Sequence, residues 1–320
     1  MKRQELVVGG VVLSALLCAL PAPTGAQIFE THFTANFGGG IVGKYTTSGG
    51  VLSRNLISGF SQPDGIAVSG NKVFVVDASA GTVGEYTTSG TPVNRTLISG
   101  LNVPVGIAIS EGFLYVTALG GQGTVGKYTL SGETVDASLI TLRRNEHPQS
   151  IAISGDHLFV ANSGQALQSN GTIGEYTTSG ESINRTLVSG LDYPIDLAVF
   201  GDSLFVANFY GETISEYTLS GGLVNPSLIP GLNRPSAVAV FEDNLFVGAL
   251  GADLRTGNIG KYTISGSPLD PTLISVRNGP NDIEVVSGLP SLSDEGSTSL
   301  LLLLLAVSAI VLNPLLRRAA

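Results

Sequence analysis

Three carboxylates, Asp196, Asp282 and Glu284, are the residues best placed to do chemistry in this chain. Asp282 and Glu284 are two residues apart, so in an extended strand they project to the same side. Asp196 follows Pro194 by two residues, as Asp282 follows Pro280, so the two occupy equivalent positions. Like charges held close together raise one another's pKa or recruit a cation such as calcium. The alternative is a hydrated rim on which the same carboxylates stay solvated. Four more polar residues flank the same prolines: Asp64, Gln149 and Asn281 just after them, and His147 just before Pro148. Asn36, Asp77, Thr117, Asn162 and Asn208 each end a strand-like run, where they can start a turn by bonding local backbone or serve as ligands. The three histidines, His32, His147 and His157, do not cluster, and no nucleophile elbow, metalloprotease helix motif or phosphate loop is present.

The elements that must position these residues are announced by repetition. "TVGEYTTSGTPVNRTLISGL" begins at Thr82, and near copies begin at Ile41, Thr172 and Thr213. Aligned on tyrosine, the units fall at Tyr45, Tyr86, Tyr128, Tyr176, Tyr217 and Tyr262, 41 to 48 residues apart. Each unit holds four strand-like runs, here lettered a to d, separated by Gly, Ser and Asn clusters. Run a is marked by Ile66, Ile107, Ile151, Leu197, Val238 and Ile283, and run b by Phe33, Phe74, Leu114, Phe159, Phe205 and Phe246. Six sets of four predict an all-β, six-bladed β-propeller of four-stranded antiparallel blades. The body opens on a b run and ends on an a run. The N-terminal b, c and d strands therefore share a blade with the C-terminal a strand, which closes the ring. The tyrosines are expected to pack between blades, and the small residue two positions before each is expected where a neighbouring blade comes close. Strand a carries Ala67, Ala108, Ala152, Ala198 and Ala239 at its centre, and Glu284 in the sixth copy. Length varies only in the b–c and d–a connections, which antiparallel geometry puts on one face. Any site belongs there, at the mouth of the central channel.

Strings such as "PDGIAVSGNKVFVVDASAGTVGEYT" resemble the six-bladed propellers of the NHL-repeat and gluconolactonase-like group. That resemblance implies the fold but not one activity, because the architecture hosts hydrolases, lyases, receptors and scaffolds. In gluconolactonase-like enzymes a glutamate, an asparagine and an aspartate near the mouth hold a divalent ion, and no such trio can be matched residue by residue here. The expected function is a binding or scaffold module without catalysis. The alternative is a metal-dependent hydrolase or lyase with its site at the mouth.

The two ends read differently. Residues 1–26 have the basic start, apolar run and small-residue finish of a secretory signal peptide, with the propeller expected over 27–288. Cys18, the only cysteine, lies inside that leader, so the mature chain would have no disulfide. Residues 289–298 form a polar linker, and 299–320 an apolar segment with Arg317 and Arg318 behind it. As a helix, Ser299 to Leu316 would span about 27 Å, enough for a hydrocarbon core. "SDEGSTSLLLLLLAVSAIVLNPLLRR" resembles the PEP-CTERM class of bacterial sorting tails, in its Val-Pro-Asp-Ser-Gly variant, with Leu292 and Ser293 in place of the valine and proline. The resemblance implies an exported protein of the cell envelope or surface, anchored at least transiently in the inner membrane and processed by an exosortase-type enzyme. Net charge is −9, and −10 between the two end segments, which argues against nucleic acid as a partner.

Overall fold

The computed structural model describes residues 7–8, 11–12, 25–32, 40–165, 168–251 and 256–287. The chain divides into two compact units, Ala26–Ser287 and the flanking Met1–Gly25 with Gly288–Ala320. In the flanking unit, Val7–Val8 pairs antiparallel with Val11–Val12. The segments expected to be the rest of the leader, the linker and the membrane helix lie outside the described residues. Among the described residues no helix is long and apolar enough to cross a membrane.

Ala26–Ser287 holds six four-stranded antiparallel sheets, each in the order a-b-c-d. Blade one takes its a strand from the C-terminus, Asp282–Val286, and its b, c and d strands from Gln27–His32, Gly40–Thr46 and Val51–Phe60. Blades two to six begin with the a strands Pro63–Ser69, Pro104–Ser110, Pro148–Ser154, Pro194–Phe200 and Pro235–Phe241. Proline suits the first position of an inner strand, where no ladder donor is required. The closing pair is antiparallel, with Ile283 opposite Glu30 and Glu284 opposite Phe29.

Two alignments need correction. The b strand of blade one centres on Phe29, which is fully buried and pairs with Lys44 as Phe74 pairs with Glu85. The expected Phe33 lies outside the described residues. Phe29 and Phe33 are four apart, and a period of two cannot tell them apart. In blade three the same position is held by Tyr115, opposite Lys127, while Leu114 faces Tyr128.

The repeated phrase holds the blades together. Tyr86 packs with Phe29, Val42 and Ile57 of blade one, and Tyr128 with Phe74, Val83 and Ile98 of blade two. Tyr45 closes the circle against Phe246, Ile259 and Ile274 of blade six. The small residue two positions earlier has a different cause from the one expected. A Cβ on Gly84, Gly126, Gly174 or Gly260 would meet the ring of the tyrosine two residues on, in the same strand, at 2.8 Å or less. In these four blades the tyrosine folds back over its own strand, leaving room only for hydrogen, while blade five accommodates Ser215. In the "TTSG" and "TLSG" turns the final glycine has φ between 84° and 91°. A Cβ on Gly221 would come 2.6 Å from the Leu187 carbonyl oxygen of the preceding blade, and one on Gly49 would come 2.7 Å from that of Leu273. Each turn therefore needs glycine twice, for its backbone angle and for blade contact.

Candidate functional site: the channel mouth

The inner strands surround a cavity of about 640 Å³. Its acidic lining is Asp64, Asp196, Asp282 and Glu284, and no Lys, Arg or His lines it among the described residues. Glu284 stands opposite Phe29 as Ala67 stands opposite Phe74, so it fills the alanine position in an otherwise small-residue row.

Each of the five inner strands that begins with proline shifts register just after it, between Pro63 and Ile66 in blade two and between Pro194 and Asp196 in blade five. A bulge there re-aims the next residues and frees backbone N–H groups from the ladder. Buried N–H groups need acceptors, and the mouth side chains supply them. Asp196 Oδ1 accepts from Ser150 Oγ at 2.7 Å and from the Leu197 N–H at 2.9 Å, while Oδ2 accepts from the Val238 N–H at 2.7 Å. One carboxylate, only 7% exposed, thus ties blades four, five and six. Asp282 does the same at the closure: Oδ2 accepts from the Ile66 N–H of blade two at 2.9 Å, and Oδ1 from the Ile283 N–H at 2.7 Å. Asn281 Nδ2 donates to the Pro63 carbonyl at 2.6 Å, and Ser236 Oγ donates to that of Pro280 at 2.6 Å. Glu284 accepts a backbone hydrogen bond from Val68, on the inner strand of blade two.

The remaining expected positions are placed as follows. Gln149 Nε2 donates to Ser163 Oγ at 3.1 Å, and His147 Nδ1 lies 3.0 Å from the Gly164 carbonyl on the rim. Asp77 accepts from the N–H groups of Ser61 and Gln62 at 2.7 and 2.9 Å, a turn-forming role. Asn162 and Asn208 donate to Thr172 and Ser215 of their own blades. Thr117 Oγ1 accepts from the Gly106 N–H at 2.8 Å. His157 pairs with Glu175 at 2.7 Å, away from the mouth, and Asn36 lies outside the described residues.

Burial, and then the charge of Asp196, push Asp64 up to about 7 and Glu284 up to about 8. Burial also raises Asp196, to about 6, against the lowering pull of its hydrogen bonds to Ser150, Val238 and Leu197. Asp282 is raised well above the usual carboxylate range by burial and by Asp196. Asp196, Asp282 and Glu284 therefore share one cavity and one electrostatic field. They do not converge on a point: among the described residues, no three His, Cys, Asp or Glu side chains are placed to hold one ion.

One feature of the mouth lies outside the repeat columns. Tyr193, Phe209 and Tyr210 of blade five form an aromatic cluster with centroids 5.0 to 6.1 Å apart, and Phe209 lines the channel cavity. The signal in the sequence is "NFYG", which departs from the other b–c loops.

The chain is a six-bladed β-propeller, with polar side chains at its mouth that stitch blade to blade. A model of the LVIVD repeat matches residues 147–168, which include part of blade four. No curated protein matches. Among solved structures, a chain of a nidogen/laminin complex is similar at 14% identity and TM-score 0.63, covering 82% of this chain and 99% of that one. A catalytically inactive virginiamycin B lyase from Staphylococcus aureus, solved with quinupristin, is similar at 17% identity and TM-score 0.56, covering 88% and 98%. A gluconolactonase from Xanthomonas campestris is similar at 15% identity and TM-score 0.54, covering 66% and 76%. At these identities the likeness is one of fold.

Proposed function

We propose that this protein is an exported, envelope-anchored propeller that binds or scaffolds without catalysis of its own. One observation carries the reading. The polar groups that a mouth-sited enzyme would present to a substrate are engaged in holding blades together: Asp196 with Ser150 and Val238, Asp282 with Ile66, Asn281 with Pro63. These bonds fix each side chain against a neighbouring blade, so it serves the ring before any substrate. The mouth face carries the variable loops, as a recognition surface does. In this reading residues 1–26 export the chain, residues 299–320 hold it in the inner membrane, and an exosortase-type enzyme processes the tail.

The test is turnover by purified full-length protein on lactones, aryl esters and cyclic depsipeptides, with calcium, zinc or chelator. The reading expects rates equal to the blank under all conditions. Metal-dependent turnover lost in Asp282→Asn would overturn it in favour of a hydrolase or lyase of the gluconolactonase-like type. Fractionation of the producing cells tests the anchor, with the uncleaved chain expected in the membrane pellet.

A further inference from the structure

The aromatic cluster of blade five is not required by the fold. Five blades share a backbone hydrogen bond at the rim, from a residue at the end of the b strand to the residue before the proline. The pairs are Ala78 with Gln62, Leu119 with Val103, Ser163 with His147, Phe209 with Tyr193, and Leu250 with Arg234, the first four donors lying one residue past the ladder. Only blade five uses aromatics in both positions, and Tyr210 adds a third ring. Tyr193–Tyr210 and Phe209–Tyr210 are 5.0 and 5.1 Å apart, at interplanar angles of 58° and 85°. All three side chains are half-buried rather than in the core. Val103, Tyr193 and Arg234, each just before its proline, hold φ of 54°, 59° and 51°, so this backbone angle belongs to the rim turn and the aromatic side chain alone is particular to blade five.

The chemistry of the surroundings selects the occupant. Phe209 shares its cavity with Asp64, Asp196, Asp282 and Glu284, and no basic side chain lines that cavity among the described residues. The faces of the rings are partly negative and attract cations. The molecule already places one there: the Arg234 guanidinium lies 5.9 Å over Phe209. A ligand that puts an apolar stem on the rings and a positive head toward the carboxylates satisfies both surfaces. Lysine and arginine side chains have that shape.

We propose that the aromatic collar of Tyr193, Phe209 and Tyr210, with the acidic channel beside it, receives a protruding lysine or arginine side chain of a partner polypeptide. The inference rests on the binding-module reading and names its ligand. Asp64 and Glu284, raised to about 7 and about 8, release protons when a cation arrives, so affinity rises from pH 6 to pH 8. Among the described residues, Asp64, Asp196, Asp282 and Glu284 lie in the channel and His147, Asp192 and Arg234 on its rim.

The experiment titrates full-length protein in mild detergent with acetyl-Gly-Lys-Gly-amide, its norleucine counterpart, n-butylammonium and calcium. Binding is read by calorimetry and by the rise in Tm that a ligand of the folded state produces. The lysine peptide is expected to bind and the norleucine peptide not. Affinity should fall roughly threefold or more in Phe209→Leu, which keeps the volume and removes the ring. It should also fall in Asp64→Asn and on raising salt, since screening weakens charge attraction. Equal binding of the norleucine peptide overturns the proposal. So does a response to calcium alone that is indifferent to Phe209→Leu, or tighter binding of n-butylammonium than of the peptide. Absence of binding at millimolar peptide refutes the ligand class, while the binding-module reading stands or falls separately on the turnover assay.

Discussion

Asp196→Asn should change the pH dependence of stability more than stability itself. In the folded protein burial raises this carboxyl from 3.8 to about 6. A carboxyl raised in the folded state contributes stability that is fully present below its unfolded value of 3.8. Above that the unfolded chain ionises while the folded one still holds its proton, so the contribution is lost as pH climbs through about 6. The shift of roughly two units corresponds to about 3 kcal/mol. For a domain of this size that is on the order of 5–10 °C in Tm. Asp64 and Glu284, raised to about 7 and about 8, extend the loss to pH 8. The parent should therefore melt lower at pH 8 than at pH 5, opposite to the usual loss of stability in acid. Asparagine retains one oxygen for Ser150 and the Leu197 N–H, but sets an NH₂ against the Val238 N–H that Oδ2 accepts at 2.7 Å. That conflict costs about 1–3 kcal/mol at any pH. The variant should be clearly weaker than the parent at pH 5 and close to it at pH 8. Thermal melting from pH 4.5 to 8.5 is the assay. Parallel curves for the two proteins, or a parent that gains stability toward pH 8, would refute the reasoning.

Gly221→Ala should destabilise by roughly 2–3 kcal/mol, because it adds strain at positive φ to a contact with the Leu187 carbonyl. Gly201→Ala, at a turn with φ 56° and open space around it, should lose only about 1 kcal/mol, and denaturant melts compare the two. Deleting residues 281–287 removes the a strand of blade one with the Asp282 and Asn281 bonds, and should abolish the cooperative melt; an unchanged transition counts against closure by that strand. Removing residues 299–320 should release the propeller from the membrane fraction with its melting curve intact, and a chain already soluble before the cut would dismiss the anchor.

Much of the architecture was legible because it is periodic. The tyrosine spacing, the prolines and the complementary b and a runs at the two ends require six closed blades. Glu284 was visible as the exception in a row of alanines, and the equivalence of Asp196 and Asp282 could be read from their prolines. What could not be read was the bulge after each proline. It turns Asp196 toward the Val238 N–H and Asp282 toward the Ile66 N–H, so that both carboxylates tie neighbouring blades. The slip from Phe33 to Phe29 was hidden because both have the same parity along the strand. Gly84, Gly126, Gly174 and Gly260 looked like inter-blade contacts, yet each meets the ring of the tyrosine two residues on in its own strand. The collar of Tyr193, Phe209 and Tyr210 has no counterpart in the other blades, so the repeat pattern does not announce it.

The central claim is that the mouth carboxylates hold the ring together instead of serving a catalytic metal. Calcium calorimetry on the chelator-treated full-length protein, paired with melting before and after chelation, tests it most directly. The account predicts no saturable heat at millimolar calcium and no change in Tm on chelation. Stoichiometric calcium binding that raises Tm and vanishes in both Asp282→Asn and Glu284→Ala would contradict it.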